Sequence, residues 1–456
     1  MLDRRRFLSS LAAGAAAGAA LPLASCVRAD SREGAAADPG RAGRPLVGPD
    51  GAVDWAAVRG EFLLDPSWIH LSSFFLVSHP RPVREAIEGY RRRLDENPLW
   101  IEEALFAEGS ESELARVKSA LAGYLGARPE EIALTSNTTT GLALVYNGLR
   151  IRSDQEIVTT EHDHYVHHES IRRSAEKSGA SVRYVSLYDR GAAATEGEMV
   201  ERARRAIGPR TRALGVTWIH SSTGVKLPIA ALAEAVAGAN AGRSDEDRCL
   251  LVVDGVHGFG VEDVDAARLG ADFFVAGTHK WLFAPRGTGL IWAPRERWPE
   301  VSSTVPSFDI SQALWDSWVE RRPLPPTRAS FVSPGGFLAY EHLFAIPEAV
   351  EFHEALGRDR IAGRIGELNG RFREELSRMP GVTLHTPVDG RLAAGIVCFE
   401  IEGKEPGEVV EALAERRIHA TASPYPVSYV RVAAGIMNDP EEVETALASI
   451  RELAGA

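Results

Sequence analysis

Phe273-Phe274-Val275-Ala276-Gly277-Thr278-His279-Lys280-Trp281 carries the chain from four apolar residues into a lysine held between an imidazole and an indole. A short, unbroken apolar run reads as a strand buried on both faces. A lysine directly after such a strand is partly desolvated, which lowers its pKa and frees the amine to act as a nucleophile. The competing reading is a surface lysine whose stem lies on apolar neighbours while its head reaches water.

The neighbouring segments decide between the two. Leu250-Leu251-Val252-Val253-Asp254 is a second apolar strand, and it ends in a carboxylate. A charge in that place is costly without a partner. A protonated ring nitrogen would supply one; capping of the next helix is the alternative. No second carboxylate with ligand spacing stands nearby, so a metal is disfavoured. His257 follows one turn on, able to bond a ligand or the aspartate, although a lone histidine is ordinarily structural. Upstream, Ser136-Asn137-Thr138-Thr139-Thr140-Gly141 lies between a strand and a helix. Small polar residues at a helix start leave N–H groups free and suit an anion at Thr138 and Thr139. Ordinary helix capping accounts for the same residues equally well. Pro285-Arg286-Gly287-Thr288-Gly289 follows the lysine as a glycine-rich loop.

Further apolar runs cover 131–135, 156–159, 182–185 and 213–217, with helical stretches between most of them; 289–292 adds an antiparallel strand. Alternation of strand and helix implies an α/β domain with a mostly parallel, seven-stranded sheet. Ligands bind such sheets at the carboxyl ends of the strands. After about residue 340 the rhythm changes. A helical region over 340–379 leads to short strands at 382–384, 395–401 and 429–432, with helices over 406–416 and 441–453. The expected organisation is an N-terminal segment at 51–80, a large domain at 81–335 and a smaller α+β domain at 336–456.

The 456 residues suit a two-domain enzyme. Apolar residues make up 45% and charged ones 25%, ordinary for a soluble globular chain. The net charge of −12 argues against a nucleic-acid partner, whose phosphates would be repelled. Cys26, Cys249 and Cys398 have no spacing that suggests a zinc knuckle or a disulfide framework.

Residues 1–27 read as a targeting segment. Arg4-Arg5-Arg6-Phe7-Leu8 suits a twin-arginine signal, and the apolar run from Leu11 to Ala24 is too short for a comfortable membrane span. Leu23-Ala24-Ser25-Cys26 resembles a bacterial lipobox. Two readings stay open: Cys26 is lipidated and anchors the protein, or a plain signal is cleaved nearby. Such signals engage the twin-arginine export machinery, which moves folded proteins, so a periplasmic or membrane-anchored location is expected. Residues 28–50 read as a flexible tether rich in Ala, Gly, Pro and Arg.

Over about residues 65 to 450 the sequence resembles the class V aminotransferase family of fold-type I enzymes dependent on pyridoxal phosphate (PLP). The resemblance rests on Val253-Asp254-Gly255-Val256-His257, on Gly277-Thr278-His279-Lys280-Trp281 with Pro285-Arg286-Gly287, and on Asn137-Thr138-Thr139. The 26 positions between Asp254 and Lys280 suit it. It implies that Lys280 holds PLP as a Schiff base and moves protons at the substrate's α-carbon, and that Asp254 pairs with the pyridinium nitrogen. His257 is implied near the phenolic oxygen, with Thr138, Thr139 and His279 on the phosphate. His162 matches the position that stacks on the ring, with Tyr165 a rival. Ser221 stands where some subgroups carry Asn. Arg431 matches the arginine that holds a substrate carboxylate, which suits its planar guanidinium; a surface strand arginine is the alternative. Ser333 lies near a phosphate contact that the family takes from a partner subunit. A homodimer is implied.

PLP supports several reactions, and the protein selects among them. Cysteine desulfurases need a mobile cysteine before the carboxylate arginine, and Arg417-Ile418-His419-Ala420-Thr421-Ala422-Ser423-Pro424-Tyr425-Pro426 has none. The motif pieces look most like the isopenicillin N epimerase-like subgroup, which includes exported members. The expected function is an exported class V aminotransferase-like enzyme acting on the amine of an amino acid or peptide, by transamination or epimerisation. A lyase on the same site and an inactive exported binding protein are the alternatives. A dinucleotide enzyme is disfavoured, because no Gly-x-Gly-x-x-Gly opens the sheet.

Overall fold

A computed structural model describes residues 45–106, 112–308 and 311–455. The twin-arginine and lipobox readings lie outside the described residues, as do residues 28–44 of the expected tether. The segment before residue 80 holds β1 (Ile69–His70). Seven strands then form one sheet: β2 (Ile132–Thr135), β3 (Glu156–Thr160), β4 (Ser181–Val185), β5 (Thr211–Thr217), β6 (Leu250–Asp254), β7 (Phe273–Gly277) and β8 (Gly289–Trp292). Their order is β2-β8-β7-β6-β5-β3-β4. Only β8 runs against the others, pairing antiparallel with both β7 and β2. The expected seven-stranded, mostly parallel sheet is the sheet observed.

The apolar runs explain themselves here. Every residue of β5, β6 and β7 is buried, because helices cover both faces of the sheet. β4 is a half-exposed edge. The other edge, β2, is buried, and its Leu134 N–H donates to the Ser333 hydroxyl at 2.9 Å. That bond satisfies an edge amide that would otherwise be open to another strand.

A second, four-stranded sheet has the order β12-β13-β10-β9, from β9 (Val382–Leu384), β10 (Val397–Ile401), β12 (Thr421–Ala422) and β13 (Val430–Val432). β1 pairs in parallel with β11 (Ile418–His419), and Ser72, two residues past β1, bridges Ala433, the residue after β13. The 51–80 segment thus runs alongside the C-terminal strands. The helical region expected over 340–379 is three helices, Tyr340–Leu343, Ile346–Leu356 and Arg358–Leu376. The break between the last two is Gly357, at φ +93°, a conformation that L side chains rarely adopt.

Register places the functional end of the large sheet. Thr217 is opposite Asp254, Asp254 is opposite Val275, and Gly277 is opposite Gly289. The helix Thr138–Gly148 starts directly after β2 and packs on β7 and β8. Gly141 permits that approach: a Cβ there would lie 2.5 Å from Val275 Cγ1. Gly141→Leu should therefore overpack the helix–sheet contact and cost about 2 kcal/mol or more, read as a lower urea midpoint with little change in slope. Gly123, in the exposed part of the helix Glu113–Leu125, has open space around it. Gly123→Ala is the matched control and should raise stability by about 0.8 kcal/mol.

Candidate active site

One cavity lies at the carboxyl ends of β2, β5, β6 and β7. Its lining includes Thr138, Thr139, His164, Thr217, Ser221, Asp254, His257, His279 and Lys280. The sequence motifs, up to 142 residues apart along the chain, are neighbours here because each follows a strand of the same sheet.

The helix start is built for an anion. Asn137 caps it, its Oδ1 accepting the Thr140 N–H at 2.8 Å. The N–H groups of Thr138 and Thr139 have no protein acceptor among the described residues, and Thr139 is exposed to the cavity. Thr138 Oγ1 accepts the Gly277 N–H at 2.7 Å, which ties this helix start to the end of β7. His279 adds an imidazole, with Nδ1 3.2 Å from the Thr288 carbonyl.

The lysine loop is fixed by its own bonds. Thr278 N–H donates to Thr288 O at 3.1 Å, and Ala284 N–H to Thr278 O at 3.1 Å. Phe283, fully buried, takes φ +60° to close the turn. A bulky residue in that region is strained, and dense packing must hold it there.

Burial sets the electrostatics. It raises the Asp254 carboxyl to about 7, opposed by the Val256 N–H and by the Lys280 charge. It lowers the Lys280 amine to about 8, opposed by Asp254. Burial also holds His257 well below its ordinary value and takes His164 down to about 4, with Lys280 and Arg431 pressing both the same way. Both imidazoles are therefore neutral at pH 7.

Arg431, on β13, is 5% exposed. Its guanidinium lies 4.5 Å from the Phe74 ring centroid and donates to Thr421 Oγ1, Ser221 O and Ala422 O at 3.1 to 3.2 Å. Among the described residues no carboxylate pairs with it. Phe74 also meets His257 edge-on at 6.1 Å, so the N-terminal segment supports both.

Three expected positions are not in the cavity lining: His162, Tyr165 and Arg431, the last bonded to the carbonyl of the lining residue Ser221. Beyond β3, Glu161 N–H still bonds to Val185 O of β4, which turns His162 toward that side. Its ring lies flat on Tyr188, 4.3 Å between centroids and 1° between planes. Asp163 fixes the turn by accepting from Thr160 N–H, Thr159 Oγ1 and Thr217 N–H at 2.7 to 2.9 Å. His164, two residues on, is the histidine that reaches the cavity. Tyr165 is 64% exposed and is not in the lining either. Ser333 takes the Leu134 N–H of its own chain, as above. Tyr425 was missed in the sequence: its hydroxyl is 2.7 Å from that of Ser221, and its ring edge meets His164 at 5.8 Å. Apart from lying shortly before Arg431, it gives no sequence signal.

The residues fit PLP. The helix start and His279 suit its phosphate. The Asp254 carboxylate has one bond, to Val256 N–H, which leaves an oxygen for the ring nitrogen. His257 Nδ1 is buried without a partner, a cost that a ligand's hydrogen bond removes. Lys280, a residue of intermediate exposure whose amine is buried, lines the same space.

Comparison with known proteins agrees. The family model described as aminotransferase class-V matches residues 78–445. Isopenicillin N epimerase of Streptomyces clavuligerus is 29% identical over 414 residues, 88% of this chain and 99% of that protein. The enzyme of the same name from Amycolatopsis lactamdurans is 28% identical over 408 residues, again 88% and 99%. A probable cysteine desulfurase of Xylella fastidiosa is 24% identical over 430 residues, 89% of this chain and 98% of that protein. Among solved structures, a C-DES variant with glycine covalently linked to its PLP has a TM-score of 0.75 at 21% identity, covering 86% of this chain and 99% of that one. This likeness is of fold. The family match, the cavity and the fold make this chain a member of the class V aminotransferase family and a PLP-dependent enzyme.

Proposed function

We propose that this protein is an exported enzyme that moves the α-hydrogen of an amino acid or peptide bearing a free amine and a carboxylate, by transamination or epimerisation. The observation that carries the reading is the meeting of Lys280 and Asp254 in one cavity whose Ser221 carbonyl is held by Arg431, with no thiol of the described residues in the cavity lining and Cys398 paired across the strands with Arg431. Cys249 and Cys398 are buried, and burial pushes both thiols up to about 12, so neither is a ready nucleophile. That weighs against sulfur transfer, the activity named for some relatives, and in favour of proton chemistry, as in the epimerases.

When bound, PLP supplies an electron sink that weakens the bonds at the substrate's α-carbon. The chain supplies the rest. Thr138, Thr139 and His279 would hold the phosphate, and Asp254 would pair with the ring nitrogen and favour its protonated form. The Lys280 amine would hold the aldehyde of PLP and would take the proton at the substrate's α-carbon. Arg431 fixes the carboxylate, which sets the orientation of the bonds at that carbon. The Arg4-Arg5-Arg6 segment supports export by the twin-arginine route. A homodimer is also proposed; exposed Phe75 and Leu76, next to the site residue Phe74, favour a covering partner.

Purified protein loaded with PLP should show a visible absorption band that Lys280→Ala abolishes. A protein that stays colourless with added PLP overturns the proposal. The rate at which apoprotein acquires that band should rise with pH through a midpoint near 8, where Lys280 loses its proton, instead of near the ordinary lysine value. Asp254→Asn removes the charge that favours the ammonium, so the midpoint should move to lower pH. Arg431→Lys should raise KM for carboxylate substrates by roughly 30-fold, the equivalent of about 2 kcal/mol, by losing a forked charge-assisted contact. The visible band should survive that change.

A further inference from the structure

Lys280 stands at the end of β7 and His164 follows β3, with β6 and β5 between those strands. The cavity therefore has two side walls. On the Lys280 wall the amine handles protons. The opposite wall is made by His164, Ser221 and, behind Ser221, Tyr425.

We infer that the Tyr425–Ser221 hydroxyl pair is a proton source on the wall opposite Lys280, and that the reaction is inversion at the α-carbon. The inference rests on the proposed function and deepens it. Inversion needs the hydrogen removed from one side and returned from the other. A single base on one wall returns the proton where it found it.

Several observations assign that part to Tyr425. His164 is neutral at pH 7 and carries no spare acidic proton. Asp163 is nearby, but its oxygens are taken by strand-end donors and it is ionised in the folded state. Of the hydroxyls on this wall, a phenol has the most acidic proton in ordinary circumstances. Burial keeps the Tyr425 phenol protonated, hence a donor, with the Ser221 contact and the Arg431 charge acting against that rise. Its hydroxyl lies 2.7 Å from Ser221 Oγ, within transfer distance, and Ser221 faces the cavity. Arg431 Nη1 donates to the Ser221 carbonyl, so the group that orients the carboxylate also fixes the relay.

The step balances without an oxidant. The α-hydrogen leaves as a proton to Lys280 Nζ, and the electron pair of that bond remains for the new C–H bond. Ser221 Oγ delivers its proton to the α-carbon and takes one from the Tyr425 hydroxyl. Exchange with water reprotonates the Tyr425 oxygen and deprotonates Lys280.

The test uses PLP-loaded wild type, Tyr425→Phe and Ser221→Ala in deuterium oxide. The probes are the L- and D-forms of the proteinogenic amino acids and of their dipeptides with free amines. NMR counts deuterium at the α-carbon and chiral chromatography counts inversion. The visible band and the PLP dissociation constant report the loaded site independently of turnover. Wild type should exchange and invert. Both variants should keep the band and exchange the α-hydrogen with retained configuration, while inversion falls about 100-fold. A merely structural role would lower exchange, inversion and PLP binding together. That result, or inversion by Tyr425→Phe within threefold of wild type, overturns the relay. Wild type that converts PLP to its amine form without inversion overturns the inference and leaves the proposed function standing. Wild type that exchanges no α-hydrogen with any probe overturns both.

Discussion

A carboxyl and an amine buried at the ends of adjacent parallel strands are the constraint on which this architecture depends. Each group alone pays for leaving water, and the opposed shifts of Asp254 and Lys280 show that desolvation outweighs their mutual attraction in the free cavity. Such a pair persists only where the surrounding backbone is fully bonded and cannot relax around it. β5, β6 and β7 provide that frame, since every residue in them is buried. The strained Phe283 turn and the Thr138–Gly277 bond complete it on the lysine side. A bound cofactor that carries positive charge on its ring and negative charge on its phosphate removes the mismatch, so the site stores electrostatic preference for that ligand.

The two sheets contribute unlike things. The large sheet supplies groups for a phosphate, a ring and an aldehyde, all on strand ends or the turns that follow them. The small sheet supplies Arg431 and the loop bearing Tyr425. Ser221 is where they meet, giving its carbonyl to Arg431 and its hydroxyl to Tyr425. In the proposed function, substrate recognition therefore depends on the placement of one sheet against the other.

Much of this was legible in the sequence, and the failures have physical reasons. Unbroken apolar runs identify strands covered on both faces, so β5, β6 and β7 and the residues after them could be placed. A turn has no period. Glu161-His162-Asp163-His164-Tyr165 offers two histidines, and the choice between them is made by Asp163 and by Glu161 pairing with β4. The bonds that set the choice, Asp163 to the Thr217 N–H and Glu161 to Val185, join parts of the chain that are distant in sequence. β1 has two residues and exists because β11 lies beside it, a partner almost 350 positions away. The helical period continues across Gly357, so only the backbone conformation there reveals that two helices meet. Tyr425 looks like any loop tyrosine until the fold brings Ser221 under it.

The pairing of the chain's beginning with its end bears on how the protein is made. Ribosomes release polypeptide from the amino end, so Thr138, Asp254 and Lys280 emerge long before Arg431. The strap from Ile69 to Phe74 has nothing to pair with until residues 418 to 433 appear. The large-sheet part of the site can assemble on the nascent chain, while the part bearing Arg431 must wait for residues 418 to 433. Closing of this strap is thus a late event in the folding of the chain, and it joins the two sheets only after both have been made.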